Sequence, residues 1–297
     1  MTQPFRHVAI FGKPRAEGIR EPLETIAQIV EQKGMVPMFD AATRDLVGLK
    51  EYAGHTVDAI GKQADVAVVL GGDGTLLGIA RELSRHRIPL IGINHGRLGF
   101  MTDIALWQMP DVLGTMLDGR FETDRRALLE AQILRDGAPI FQARAFNDVV
   151  VTRGGAGGMV EFTVRVDGIT IYNQRADGLI VATPTGSTAY ALSANGPILH
   201  PSLAGLVLVP VAPQTLSNRP IALPDAVAVE IEITDDRDAA AHFDMQSFSL
   251  LAPGDIVRSQ RSVDDIVLLH PIGYNYFATL RQKLHWNVMP SEPHARA

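Results

Sequence analysis

The chain has 297 residues, a formal net charge of −6 with histidine neutral, and no cysteine. The missing cysteine excludes a disulfide framework, a thiolate nucleophile and a thiolate metal centre, and the acidic balance argues against a nucleic-acid coat. With 46% apolar residues, 20% charged residues and 27 glycines the chain is neither disordered nor collagen-like, and its length predicts roughly two domains.

The first 120 residues alternate strand and helix patterns. His7–Phe11 is a short apolar run ending at Gly12. Pro22–Lys33 places Leu23, Ile26, Ile29 and Val30 at helical spacing, with Gly34 as a C-terminal stop. Met35–Phe39 reads as a strand. Asp65–Leu70 is apolar and β-branched and breaks at Gly71. Thr75–Arg85 sets Leu76, Ile79, Ala80 and Leu83 on one helical face. Pro89–Ile93 is a buried strand, and Trp107–Leu117 reads as a helix. Near-continuous apolar strands between helices predict a parallel sheet covered on both faces.

The rhythm changes near residue 121. Strand patterns follow at Ala127–Arg135, Phe141–Thr152, Val160–Asp167, Thr170–Arg175, Gly178–Ala182, Gly205–Val211, Ala226–Ile233, Ala240–Phe243, Asp255–Ser259 and Asp265–His270. This density predicts an all-β domain interrupted by one helix from Ser187 to about Asn195. After Pro271 the pattern is helical again through Tyr274–Trp286, and the tail Met289–Ala297 is expected to fray. The expected fold is thus an α/β N-terminal domain (residues 1–121, parallel and Rossmann-like), an all-β C-terminal domain (122–271), and a C-terminal segment (272–297). Met1–Arg15 lacks the apolar core of a signal peptide, and no run approaches the ~18 uncharged apolar residues of a membrane helix. A cytoplasmic protein with no membrane and no nucleic-acid partner is expected.

Gly71-Gly72-Asp73-Gly74-Thr75 lies where an apolar strand ends and a helix begins. In a parallel sheet that is the carboxyl edge, where open α/β folds bind ligands. Free N–H groups at the helix start suit a phosphate, and Asp73 places a carboxylate beside them. The dinucleotide fingerprint is absent, since Leu77 stands where its third glycine belongs, and neither Gly12-Lys13 nor Gly61-Lys62 continues into a P-loop. On this segment alone, a tight turn with Asp73 as a local cap reads equally well. The nine histidines form no metal spacing, and Ser187 has no nucleophile-elbow frame.

The glycine loop resembles the signature of a superfamily that includes NAD kinases, diacylglycerol- and sphingosine-type lipid kinases and 6-phosphofructokinases. Further blocks narrow the resemblance: Asn94-His95-Gly96-Arg97-Leu98-Gly99-Phe100, Asn147-Asp148 inside a strand, Gln174-Arg175-Ala176-Asp177-Gly178, and Thr183-Pro184-Thr185-Gly186-Ser187-Thr188-Ala189-Tyr190-Ala191-Leu192-Ser193. Together, from about His7 to Trp286, they resemble a bacterial NAD kinase.

The resemblance implies transfer of a phosphoryl group from ATP, or polyphosphate, to the adenosine-ribose 2′-hydroxyl of NAD, giving NADP. It implies a site between the domains, a last segment returning to the first domain, a Mg²⁺ ion or another divalent cation carried with ATP, and a homodimer or homotetramer. Asp73 matches the family's general base, and Gly74 lets substrate approach the backbone. Asn147 and Asp148 match the family's Asn-acidic pair, with Asp in place of the commoner Glu. Arg175, Asp177 and the run Thr188, Ala189, Tyr190, Ala191, Leu192 and Ser193 match substrate-binding positions, with the Tyr190 face suited to stacking and Ser187 or Thr188 suited to capping the helix. Asp244-Met245-Gln246 resembles a late Asp-Ser-Gln block and puts Gln246 on the dinucleotide. In the Gly154–Gly158 loop, Gly158 stands where several relatives carry a basic or histidine side chain, a role open to Arg153. The other readings weighed are a lipid kinase of the same superfamily, which favours a basic or amphipathic surface, a non-catalytic nucleotide-binding regulator, which needs no acid at position 73, and a dehydrogenase, which needs the missing fingerprint.

Overall fold

The computed structural model describes residues 5–13, 16–96, 98–154, 158–235 and 238–286. Arg97, the loop residues Gly155, Ala156 and Gly157, and the tail from Met289 lie outside these. The chain divides into two compact units, Met1–Asp124 with Val267–Ala297, and Arg125–Ile266.

The first unit runs β1 (His7–Gly12), α1 (Arg20–Gln32), β2 (Val36–Asp40), α2 (Ala41–Val47), β3 (Gly54–His55), α3 (Val57–Gln63), β4 (Val66–Gly71), α4 (Asp73–Leu83), β5 (Leu90–Asn94), β6 (Ile104–Ala105) and α5 (Met109–Leu117). Its strands are parallel in the order β5-β4-β1-β2-β3. Every residue of β4 and β5 is buried, which is why both read as continuous apolar runs. Helix α1 buries Leu23, Ile26, Ala27 and Val30, a stripe at helical spacing that meets Val8, Ile10, Val68 and Leu70 in the core. Gly34 follows it with φ +70°, as its position at the stop requires.

Two helices escape the sequence pattern. Helices α2 and α3 each bury only one residue, Thr43 and Ile60, so no apolar period marks them. Their caps start them: the Asp40 carboxylate accepts the Thr43 N–H (2.9 Å), and the Thr56 hydroxyl accepts the Ala59 N–H (3.2 Å).

The second unit contains most of β7 (Phe121–Arg135), then β8 (Ala138–Ala145), β9 (Asp148–Arg153), β10 (Val160–Val166), β11 (Ile169–Ala176), β12 (Gly178–Ala182), α6 (Tyr190–Ser193), β13 (Gly205–Val211), β14 (Ile221–Pro224), β15 (Val229–Ile233), β16 (Ala239–Phe243) and β17 (Ser247–Leu251). Asp136-Gly137 and Asp167-Gly168, all at positive φ, close the β7–β8 and β10–β11 hairpins. One antiparallel sheet has the order β14-β13-β12-β9-β16-β17. Its inner face, with Val149, Val151, Leu179, Val181 and Leu208, shares a core with Leu129 and Ile133 of β7 and Val160, Phe162 and Val164 of β10. Its other face, with Val150, Ile180, Val207 and Val209, is covered by Ala191 and Leu199 of the segment after β12.

Three expectations are corrected here. Phe141–Thr152 is two strands: β8 pairs with β7, whereas β9 pairs with β12 and β16, and the chain changes partners at Phe146 and Asn147. Asn147-Asp148 therefore sits at a strand start and not inside one. Asp255–Ser259 and Asp265–His270 belong to one strand, β18 (Ile256–Pro271), whose first half pairs with β15. The helix expected from Ser187 to about Asn195 is a 3₁₀ turn, Gly186–Thr188, followed by the four-residue α6.

Beyond Ile266, β18 belongs to the first unit, where Leu268 pairs in parallel with Leu90. Helix α7 (Tyr276–Leu284) follows, capped by Asn275, whose Oδ1 accepts the Ala278 N–H (3.1 Å). The stretch from Val267, with the end of β18 and helix α7, thus belongs to the α/β unit and contributes Leu269 to its core.

Candidate active site

In the first unit the centre is Asp73, the first residue of α4, directly after Gly72 at the carboxyl end of β4. Its half-buried carboxylate is held by the turn that follows β5. Oδ2 accepts the Phe100 N–H (2.7 Å), and Oδ1 accepts the Met101 N–H (3.0 Å), the Thr102 N–H (3.1 Å) and the Thr102 hydroxyl (3.1 Å). Among these contacts Oδ1 is saturated and Oδ2 has one partner, so Oδ2 keeps a lone pair. Thr102 is fixed in turn by the Asn94 amide, which donates to its hydroxyl (2.9 Å).

This geometry depends on Gly99, whose task no motif in the sequence makes visible. A Cβ at Gly99 would lie 2.0 Å from Asp73 Oδ1, so any side chain there displaces the carboxylate. Gly71 is tight in the same way, its missing Cβ facing the Thr75 hydroxyl at 2.7 Å, while Gly74 is exposed with open space beside it.

In the second unit Asn147, Asp148 and Gln246 gather around or beside Asp244, whereas Asp177 lies at the other end of β12 and Arg175 on β11 of the other sheet. The Asp244 carboxylate accepts the backbone N–H groups of Phe146 (2.8 Å), Asn147 (2.7 Å) and Asp148 (3.1 Å), which pins the chain at its change of sheet. Asp244 and Met245 both have positive φ, +53° and +54°, in the β16–β17 turn. In the sequence Asp244 shows only as the first residue of an Asp-Met-Gln block. Asp148 is buried, and burial together with the nearby Asp244 charge pushes its carboxyl pKa up to about 7.

Thr183, also missed, ties this point to the next block. Its hydroxyl donates to Phe146 O (2.7 Å) and accepts the Gly186 N–H (3.1 Å), and the Asn147 carbonyl accepts the Thr183 N–H (2.9 Å). Gly186 packs so closely on Asn147 that a Cβ would stand 2.1 Å from its carbonyl oxygen. Ser187 and Thr188 do not cap the helix, contrary to expectation. The buried Ser187 hydroxyl donates to Pro184 O (2.6 Å) and accepts the Leu199 N–H (2.9 Å), and the Thr188 hydroxyl donates to Thr185 O (3.0 Å). Of the six residues from Thr188 to Ser193, Ala191 is fully buried, Tyr190 and Ser193 are exposed, and Thr188, Ala189 and Leu192 are half-buried. The Tyr190 ring is thus available for stacking.

Arg175, on β11, lies beside Glu161 with Nε 3.0 Å from Oε1, a contact of charges without an aligned hydrogen bond. Asp177 is held by its backbone to Val211 and Arg153, and its carboxylate lies 3.8 Å from Arg153 Nε. Gln246 is exposed in the β16–β17 turn. Among the described residues no group of three or more His, Asp or Glu side chains is placed to hold a metal ion.

Comparison with known proteins agrees with this pattern. The ATP-NAD kinase N-terminal domain family matches residues 8–121, and the ATP-NAD kinase C-terminal domain family matches residues 146–271. The chain is 58% identical over 292 residues to an NAD kinase of Cupriavidus pinatubonensis, covering 98% of this chain and 96% of the relative. It is 55% identical to an NAD kinase of Paraburkholderia phytofirmans, covering 98% and 97%. Among solved structures, yeast NADH kinase complexed with NADH matches with a TM-score of 0.88 at 25% identity, covering 99% of this chain and 91% of that one. An NAD kinase from Archaeoglobus fulgidus in complex with ATP matches with a TM-score of 0.75 at 25% identity, covering 94% and 98%. An acid held at the carboxyl edge of an α/β unit, a β-rich unit with its own ordered turn blocks, and relatives matched over nearly their whole length lead to one conclusion: the chain belongs to the NAD kinase family and is an NAD kinase.

Proposed function

We propose that Asp73 is the general base of this kinase. The observation that carries the reading is its cradle: four donors orient the carboxylate at a helix N-terminus, and Oδ2 keeps a lone pair. In the step, the adenosine-ribose 2′-oxygen of NAD forms a bond to the γ-phosphorus of ATP. The bond from that phosphorus to the β–γ bridging oxygen breaks, its electron pair leaves with ADP, and the 2′-hydroxyl proton passes to Asp73. A ribose hydroxyl is a weak acid near neutrality, so a positioned acceptor lowers the barrier as the bond forms. Asn147, Asp148, Arg175, Asp177, the run Thr188–Ser193 and Gln246 hold the dinucleotide, with Gly74 lining the substrate. A divalent cation, Mg²⁺ or another, arrives on the triphosphate as part of the donor, where hard oxygens and water complete its shell. Inorganic polyphosphate is an alternative donor.

The protein works in the cytoplasm as a homodimer or homotetramer. The strand β17 supports association, since among the described residues it is the edge of its sheet and its Phe248 and Leu250 are 61% and 67% exposed. Sedimentation of the purified protein as a monomer at assay concentration would remove that part. The chemistry is tested by incubating protein with NAD and Mg·ATP and following NADP with a dehydrogenase strictly dependent on it. Asp73→Asn should lose about 10²–10⁴-fold in turnover while still binding NAD. Turnover near wild type would take the base role away from Asp73.

A further inference from the structure

The end of β18 and helix α7 contribute more than core to the α/β unit, because they grip the turn that holds Asp73. His270, on the last stretch of β18, is 1% exposed and directs Nδ1 at Asp103 Oδ2, 2.9 Å away. Its Nε2 lies 3.6 Å from Asp124 Oδ2, beyond hydrogen-bond length. Its ring is stacked on Tyr274 with centroids 3.8 Å apart and planes 6° apart, so it cannot turn away without breaking that packing. Asp103 directly follows Thr102, whose N–H and hydroxyl both bind Asp73 Oδ1. The other Asp103 oxygen is buried without a hydrogen-bond partner among the described residues, so His270 supplies the hydrogen bond that orients this carboxylate. A second tie comes from α7: Lys283 Nζ donates to Leu98 O (2.6 Å) and lies 5.5 Å from the centroid of the Phe100 ring. The turn over residues 98–103 is therefore held at one end by β18 and at the other by α7, and grips Asp73 in its middle.

We propose that His270 is a positioning residue for Asp73, acting through its hydrogen bond to Asp103 and the Thr102 donors that the bond keeps in place. The inference rests on reading Asp73 as the base. Its energetic logic is that a reacting group displaced by about 1 Å can lose on the order of 10² in rate while substrate affinity is little changed.

The test compares two substitutions of opposite character. His270→Leu fills the space better but has no donor. His270→Asn is smaller but keeps an N–H near the Nδ1 position. If His270 positions the base, His270→Leu should lower kcat about 10–100-fold with KM for NAD and ATP within about twofold of wild type. His270→Asn should keep kcat within about threefold of wild type even where its thermal midpoint is lower. The proposal is overturned if folded His270→Leu turns over like wild type, or if kcat of both variants simply follows their stability. Should His270→Leu fail to fold, Asp103→Ala decides in its place: a fall in kcat at unchanged KM supports positioning, and wild-type kcat overturns it. Asp73→Asn is assayed alongside. An inactive Asp73→Asn with a fully active His270→Leu sinks the positioning role alone, whereas an active Asp73→Asn sinks the base reading and its positioning together.

Discussion

At the scale of single residues, Asp73 owes its orientation to a side chain that is absent. Its Oδ1 occupies the volume that a Cβ at position 99 would fill, with the two points 2.0 Å apart. Gly99→Ala should therefore leave a folded protein whose carboxylate has been pushed out of its cradle. We expect turnover to fall on the order of 10²-fold with little change in the urea midpoint, measured by the coupled NADP assay and by fluorescence. Gly74→Ala is the informative contrast. It meets open space, and alanine is favoured over glycine inside a helix by roughly 0.5–1 kcal/mol, so the midpoint should hold or rise. If substrate lies against this backbone, its KM for NAD should nevertheless increase. Equal kinetics for Gly74→Ala and wild type would remove Gly74 from the substrate surface.

At the scale of elements, the sequence was legible where burial is two-sided or strongly periodic. β4, the glycine loop and α4 could be read because six buried residues are followed at once by an amphipathic face. The short helices α2 and α3 were not legible, because their caps and not an apolar stripe define them. The break between β8 and β9 falls at Asn147-Asp148, a polar pair that the surrounding apolar run masks; the three N–H groups gathered by Asp244, a residue distant in sequence, fix it there. Of the candidate site, positions were readable but mechanical tasks were not: Ser187 looked like a cap and is a buried strut, whereas Thr183 does the joining. Thr183→Val keeps the shape and orphans the buried Phe146 carbonyl and Gly186 N–H. It should cost about 2–3 kcal/mol in urea unfolding, while Thr188→Val, which loses one bond at a half-buried position, should cost less than about 1 kcal/mol. Equal losses from the two would contradict the assigned roles.

At the scale of the whole molecule, a few buried or paired groups set how stability varies with pH. Asp148 is raised to about 7 by burial and then by the Asp244 charge. Because its folded pKa lies above the unfolded one, its contribution is complete below about pH 4 and is lost as pH rises through about 7. The upper bound of that loss is on the order of 4 kcal/mol. His270 is also raised: burial opposes its charge, but Asp103 and Asp124 outweigh burial. Its contribution is complete below the ordinary histidine range and is lost above it. Asp255 is lowered, chiefly by its hydrogen bond to Arg135, so its contribution is present above the ordinary carboxylate range and lost only in acid. The net charge of −6 adds self-repulsion on the alkaline side. Against these, burial lowers the half-buried His242, which gains as pH rises through the histidine range; Asp148, His270 and net charge together outweigh it, so the urea midpoint should decline from pH 5 to pH 8. Asp148→Asn should flatten the part of that decline below about pH 7 and leave the part above it, which belongs to His270 and to net charge. A wild-type midpoint that stays level from pH 5 to pH 8 would mean that Asp148 ionises at no cost, and with it the account of a carboxyl held neutral beside Asp244 would fail.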